Sequence, residues 1–225
     1  MRLFRKHVPF LIVGHPRCGT TSAAEICRQI GRDVGDEFVG KDGISSWMMA
    51  VDDDLNPFSA DKLGRSRRNL RWDHLIAVTR DIKDAVPSVM IENKYAPTSY
   101  AFRRRWIKRI TGLDLADSSN EMIAAIHSIV AWYRIILEQK PVLQFRIEDQ
   151  QNLLRKFVAS ASPQSGYNAK GVDVKVNAGK LYHGVRHEKP EIGPADWEAL
   201  AADVKRDVIW YSEAFCYKNP FSPAS

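Results

Sequence analysis

Apolar positions along the 225-residue chain fall into runs that switch between two spacings. Residues 8–13 are almost continuously apolar and stop at Gly14. Such a run predicts a strand buried on both faces. Residues 20–30 change to a helical period, with Ala23, Ala24, Ile26, Cys27 and Ile30 apolar and Gly31 as the stop. Residues 33–38 suggest a short second strand, and 44–51 a short helix. Residues 52–72 are largely polar, broken by Pro57 and Gly64, and read as a loop or lid. A further buried strand is expected over 74–79, then a helix over about 81–92. Pro87 predicts a kink or a later start for that helix, because proline lacks the amide donor and clashes with the preceding turn.

Ser118 and Glu121 form a capping-box pattern ahead of a long helix. Its period is carried by Met122, Ile126, Ile129, Val130, Tyr133, Ile136 and Leu137, and Pro141 ends it. Residues 142–147 then read as a strand and 149–160 as a helix. Residues 161–193 are irregular. Gly193-Pro194 precedes a last amphipathic helix with Trp197, Leu200, Ala201, Val204, Val208 and Tyr211. Strands alternating with helices imply an α/β fold, a parallel sheet flanked by helices. No composition break demands a second domain, so one domain over 1–225 is expected.

Composition adds little until charge is considered. A net charge of +6 suits an anionic ligand without specifying one. Basic residues cluster at 65–71 and 103–109. The default reading is solvated faces; the sharper one is a rim that attracts an anionic donor or acceptor. No helix-turn-helix, zinc-finger or RNP-like pattern occurs, so nucleic acid is not expected as a partner. Cys18, Cys27 and Cys216 contain no CxxC pair, which argues against a disulfide framework or a structural zinc site. The apolar stretches 8–13 and 122–133 are too short to span a bilayer, and the first is short for a signal peptide. A reduced cytoplasmic setting is the expectation.

The most informative stretch is Gly14-His15-Pro16-Arg17-Cys18-Gly19-Thr20-Thr21-Ser22. A strand enters it and a helix leaves it, which aims backbone amides and a positive helix end at one point. The two glycines have the G-x-x-x-x-G separation of a Walker A loop, but Thr20 stands where its lysine would be. The cation sits inside the loop instead, at Arg17. A kinase or NTPase uses the missing lysine on the β/γ-phosphates, so this loop suits one poorly.

The same residues resemble the 5′-phosphosulfate loop of the sulfotransferase family, which commonly reads G-x-P-[KR]-x-G-T-T/S. That resemblance implies a P-loop-like, nucleotide-kinase-like three-layer α/β sandwich. It also implies transfer of a sulfuryl group from 3′-phosphoadenosine 5′-phosphosulfate (PAPS) to an acceptor hydroxyl, without a metal. His15, Pro16, Arg17, Cys18, Gly19, Thr20, Thr21 and Ser22 would line the donor. A second motif of the family has a counterpart in Arg80, at the end of a predicted strand, with Ser88 eight residues later. The resemblance implies that this pair holds the donor's 3′-phosphate, a fork and a hydroxyl on phosphate oxygens. Arg186, beside Lys180, His183 and His187, stands where family members often close over that phosphate.

The chain departs from the family at Ser22, where tryptophan or leucine is common, and at Ile82, where proline is common. It also lacks the glycine-rich R-K-G-x-x-G-D-W-K segment. These departures point away from the animal cytosolic enzymes and toward a bacterial or carbohydrate-type relative, with a carbohydrate or glycolipid acceptor. Transfer to a hydroxyl needs a base. Glu37, expected partly buried at the end of the second strand, is the first candidate, with Asp36 or a histidine as alternatives. Trp47 would either stack on a sugar or pack. Competing readings are a nucleotide or small-molecule kinase with a degenerate loop, and a non-catalytic nucleotide- or nucleic-acid-binding protein.

Overall fold

The computed structural model describes residues 5–52, 67–161, 181–182 and 184–221. The chain is α/β, with a five-stranded, all-parallel sheet and seven α-helices among the described residues. It divides into two compact units, Met1–Thr79 with Ile135–Asn177, and Arg80–Arg134 with Ala178–Ser225.

The first unit holds the sheet. In chain order its elements are β1 Lys6–Val13, α1 Thr20–Gln29, β2 Val34–Asp36, β3 Gly43–Ser45, β4 Leu70–Thr79, β5 Leu143–Arg146 and α5 Gln151–Ala161. The strand order is β2-β3-β1-β4-β5. Phe10 and Ile12 on β1, Ile76 and Val78 on β4, and Phe145 on β5 form one buried cluster with Ala23, Ile26 and Cys27 of α1 and Leu154 and Val158 of α5. The alternate positions Leu11, Val13, Leu75 and Ala77 are buried too. Burial on both faces explains why the β1 and β4 sequences read as continuous apolar runs.

The second unit contains α2 Ile82–Tyr95, α3 Pro97–Thr111, the start of α4 Glu121–Leu137, a two-stranded hairpin of β6 Leu181–Tyr182 and β7 Val185–Arg186, α6 Pro194–Glu198 and α7 Ala202–Ala214. Its core includes an aromatic group in which Tyr133, Tyr211 and Phe215 lie with ring centroids 4.9–5.3 Å apart.

Several local expectations change. Residues 44–51 are a strand, β3, followed by a 3-10 turn at Met48–Ala50, and not a helix. Every residue from 42 to 50 is buried, so periodicity carried no information there. β4 begins at Leu70, inside the expected lid; residues 53–66 of that lid lie outside the described residues. α2 starts at Ile82 on an Asp81 cap and runs through Pro87. The long helix α4 is capped by Asn120, whose side chain accepts from the Ile123 amide at 2.9 Å. Ser118 instead bonds His127 at 3.2 Å, so the expected capping box does not form. The final helix is two, α6 and α7, because Ala201 is extended between them. α3 had no counterpart among the predicted elements.

Candidate functional site

The loop between β1 and α1 sits at the carboxyl end of the sheet. The chain leaving β1 turns toward β2, on one side, while β5 lies on the other side beyond β4. In open parallel sheets such a reversal leaves a crevice outside the strand ends, where ligands bind.

Backbone geometry accounts for the loop residue by residue. The Cys18 amide donates to the His15 carbonyl at 3.0 Å, closing a four-residue turn. Pro16 occupies its second position and Arg17, at φ 72°, its third. This is a type II pattern, in which the third residue is usually glycine because φ must be positive. Here a cationic side chain occupies that place. Gly19 caps α1 at φ 105°. A Cβ there would also lie 2.9 Å from Ile147 Cγ1, and one on Gly14 would lie 2.9 Å from the Val78 carbonyl oxygen. Both glycines therefore let the loop press onto the neighbouring strands.

The first amide of α1 to bond back is that of Ala23, to the Gly19 carbonyl at 2.9 Å. The amides of Thr20, Thr21 and Ser22 have no acceptor within the helix, as at any helix start. His15 is fully buried, and its Nδ1 donates to the Pro16 carbonyl at 2.7 Å, which fixes the tautomer at that nitrogen. Pro16, Cys18 and Thr20 are buried; Arg17, Gly19 and Ser22 are half-buried, and Thr21 is exposed. The loop and first helical turn bring together helix-start amides, two threonines and one cationic residue, a residue set suited to an anion.

Glu37 belongs to the same unit, but its setting differs from the expectation. It is exposed, not partly buried. It follows β2 at φ 61°, with its amide donating to the Ser45 carbonyl at 3.0 Å and its carboxylate accepting from Ser46 Oγ. Ser45 Oγ in turn donates to the Thr20 carbonyl at 2.7 Å. Two adjacent serines at the end of β3 thus tie Glu37 to the first residue of α1. Asp36 is half-buried and pairs with Ser45 in the β2–β3 register.

The turn carrying Glu37 is braced from below. The Asp33 and Lys41 amides donate to the side chains of Asp42 and Asp33, each at 2.8 Å. Ser45 and Ser46 lie in the stretch 41–47 that follows Glu37, but their bonds to Thr20 and Glu37 have no signal in the sequence. Trp47 is 8% exposed and packs in the interior, which removes it as a sugar platform in this conformation.

Within the second unit, Arg80 immediately precedes the Asp81 cap of α2, and Ser88 lies in the second turn of that helix. Both are buried. The Arg80 main chain is clamped by Tyr211, whose hydroxyl donates to the Arg80 carbonyl at 2.7 Å and accepts from its amide at 3.4 Å. Burial pushes the Asp81 carboxyl above its ordinary range, partly offset by the Lys83 amide. Tyr211 had been legible only as an apolar helix position.

Arg186 is exposed on β7 opposite Leu181. Its neighbours face α2: Tyr182 donates its hydroxyl to the buried Glu92, and His187 stacks on Tyr95 with centroids 3.6 Å apart. Strand alternation puts Arg186 on the other face of the hairpin. Lys180 and His183 lie outside the described residues.

Among the described residues no group of three or more His, Cys, Asp or Glu could hold a metal ion, and no helix is long and apolar enough to cross a membrane. No protein-family model matches the chain, and no curated protein matches it.

Proposed function

We propose that the chain is a PAPS-dependent sulfotransferase, with the loop Gly14–Ser22 cradling the 5′-phosphosulfate. The P-loop-like, three-layer form of the α/β fold belongs to this reading. The observation that carries it is where backbone strain falls. Four non-glycine residues among those described have positive φ: Arg17, Glu37, Lys140 and Cys216. Lys140 and Cys216 follow the ends of α4 and α7, where left-handed residues terminate helices as a matter of course. Arg17 and Glu37 terminate no helix. They are the loop cation and the first candidate base, the two residues to which this reading gives catalytic work, and strain held at such positions is characteristic of working sites.

In this reading the acceptor hydroxyl oxygen attacks sulfur in line. The bond from sulfur to the bridging phosphate oxygen breaks, and adenosine 3′,5′-bisphosphate leaves. Glu37 takes the hydroxyl proton, and the Ser46 hydroxyl holds its carboxylate in place. Arg17 and the amides of Thr20, Thr21 and Ser22 offset charge gathering on the bridging oxygen. Arg80 and Ser88 take the 3′-phosphate. The acceptor class is a carbohydrate or glycolipid hydroxyl.

Calorimetry separates this from the kinase reading. The bisphosphate is expected to bind about 10- to 100-fold tighter than adenosine 5′-monophosphate, the range for one or two charge-assisted bonds to the 3′-phosphate. Tight binding of ATP with magnesium and none of the bisphosphate would overturn the proposal.

The same titration tests the Arg80 clamp. Tyr211→Phe removes the hydroxyl that bonds both main-chain groups of Arg80. It is expected to weaken bisphosphate binding about fivefold, the equivalent of one hydrogen bond. Binding of the monophosphate, which lacks the 3′ group, should not change.

A further inference from the structure

The 21 residues from Asn93 to Leu113 contain six cations and no carboxylate. Five of the six are on α3. Arg103 turns inward, donating to Ser128 Oγ at 2.7 Å and Asn93 Oδ1 at 2.9 Å. Arg104, Arg105, Lys108 and Arg109 are exposed. Asp114 fixes one side of this face, accepting from Arg104 at 2.5 Å and from Lys108 at 2.8 Å. Four cations against Asp114 and the nearby Asp117, which also acts on Arg104, leave the face positive.

The apolar residues beside these cations decide what the face fits. Arg105 and Arg109 are four apart and so lie along one line of the helix. Trp106 and Ile110 form the adjacent line. Trp106 is half-buried and Ile110 is 43% exposed, unusual for isoleucine on a helix otherwise lined with charge. The Arg109 guanidinium lies 5.0 Å from the centre of the Trp106 ring, and that of Arg105 lies 5.5 Å from Phe102. A basic row flanked by a tryptophan–aliphatic row is the pattern of a helix lying in a bilayer interface, with cations at the headgroup phosphates and the apolar row entering just below them.

We infer that the exposed face of α3 docks on an anionic membrane surface, with Arg105, Lys108 and Arg109 meeting lipid phosphates and Trp106 and Ile110 entering the headgroup layer. This does not rest on the donor reading of the loop. A soluble polyanion fits less well. Arg109 covers a face of Trp106 that a base would need for stacking, and a phosphate chain has no use for Ile110.

The test is co-sedimentation of the full chain with phosphatidylcholine vesicles, with and without phosphatidylglycerol, at low and high salt. Binding is expected only with phosphatidylglycerol and should fall as salt rises. Arg105→Glu with Arg109→Glu should lower partitioning at least about tenfold, since each basic residue near such a surface contributes about a fivefold factor. Ile110→Ser should lower it several-fold without shifting the thermal unfolding midpoint. If the charge reversal perturbs folding, Arg105→Gln with Arg109→Gln replaces it, with a smaller loss expected. Absence of binding to anionic vesicles overturns the proposal, as does undiminished binding by the variants. It is also overturned if heparin binding is lost on charge reversal while Ile110→Ser changes neither heparin nor vesicle binding, which would mark a polyanion surface.

Discussion

Replacing Arg17 by alanine is expected to lower sulfuryl transfer by about 10²- to 10³-fold, the range for removing one donor aimed at developing charge. The loss should fall on kcat more than on donor affinity, because the amides of Thr20, Thr21 and Ser22 remain to hold the ground-state anion. Backbone geometry supplies an internal control. Arg17 sits at φ 72°, where a residue with a Cβ costs about 1–2 kcal/mol. Arg17→Gly removes the cation and that cost together. It should therefore be as inactive as Arg17→Ala yet more stable in urea, by up to about 1 kcal/mol relative to Arg17→Ala. Activity and stability moving in opposite directions would separate a chemical role from a folding one. An Arg17→Gly protein with wild-type turnover would remove Arg17 from the mechanism.

The second large effect is expected at Glu37. A general base contributes about 10²- to 10⁴-fold, so Glu37→Gln should lower kcat by that factor while bisphosphate binding stays unchanged. Its backbone is held by its own amide on Ser45 and by the braced turn below, so the isosteric change leaves the geometry in place. Ser46→Ala should cost less, because it frees the carboxylate to move without removing it. A kcat that survives Glu37→Gln in steady-state assays with a working acceptor would return the assignment to Asp36 or a histidine.

Much of the scaffold could be read from apolar spacing alone. β1, α1, β4, α4, β5 and α5 lie where long, one-sided or fully apolar runs predicted them. The failures have physical causes. Residues 44–51 are buried on all sides, so neither a strand nor a helix period could show. Pro87 lies in the second turn of α2, where the helix tolerated the loss of an amide donor. Ser118 and Asn120 both had capping chemistry, and the long-range bond from Ser118 to His127 left the cap to Asn120.

For the candidate site, the chain by itself determined the loop from Gly14 to Ser22. Glycine spacing, the cation inside the loop and the strand-to-helix switch are all local properties, written within nine residues. Tertiary structure decided what that loop is attached to. Ser45 reaches Thr20 and Ser46 reaches Glu37 only because β3 inserts between β2 and β1, a pairing that no local pattern encodes. Tyr211 holds the Arg80 main chain across more than a hundred residues of sequence. Likewise, only the folded backbone places Arg17 and Glu37 in left-handed conformations. A residue's type is a local fact, but the strain it bears is imposed by the strands and turns on either side of it.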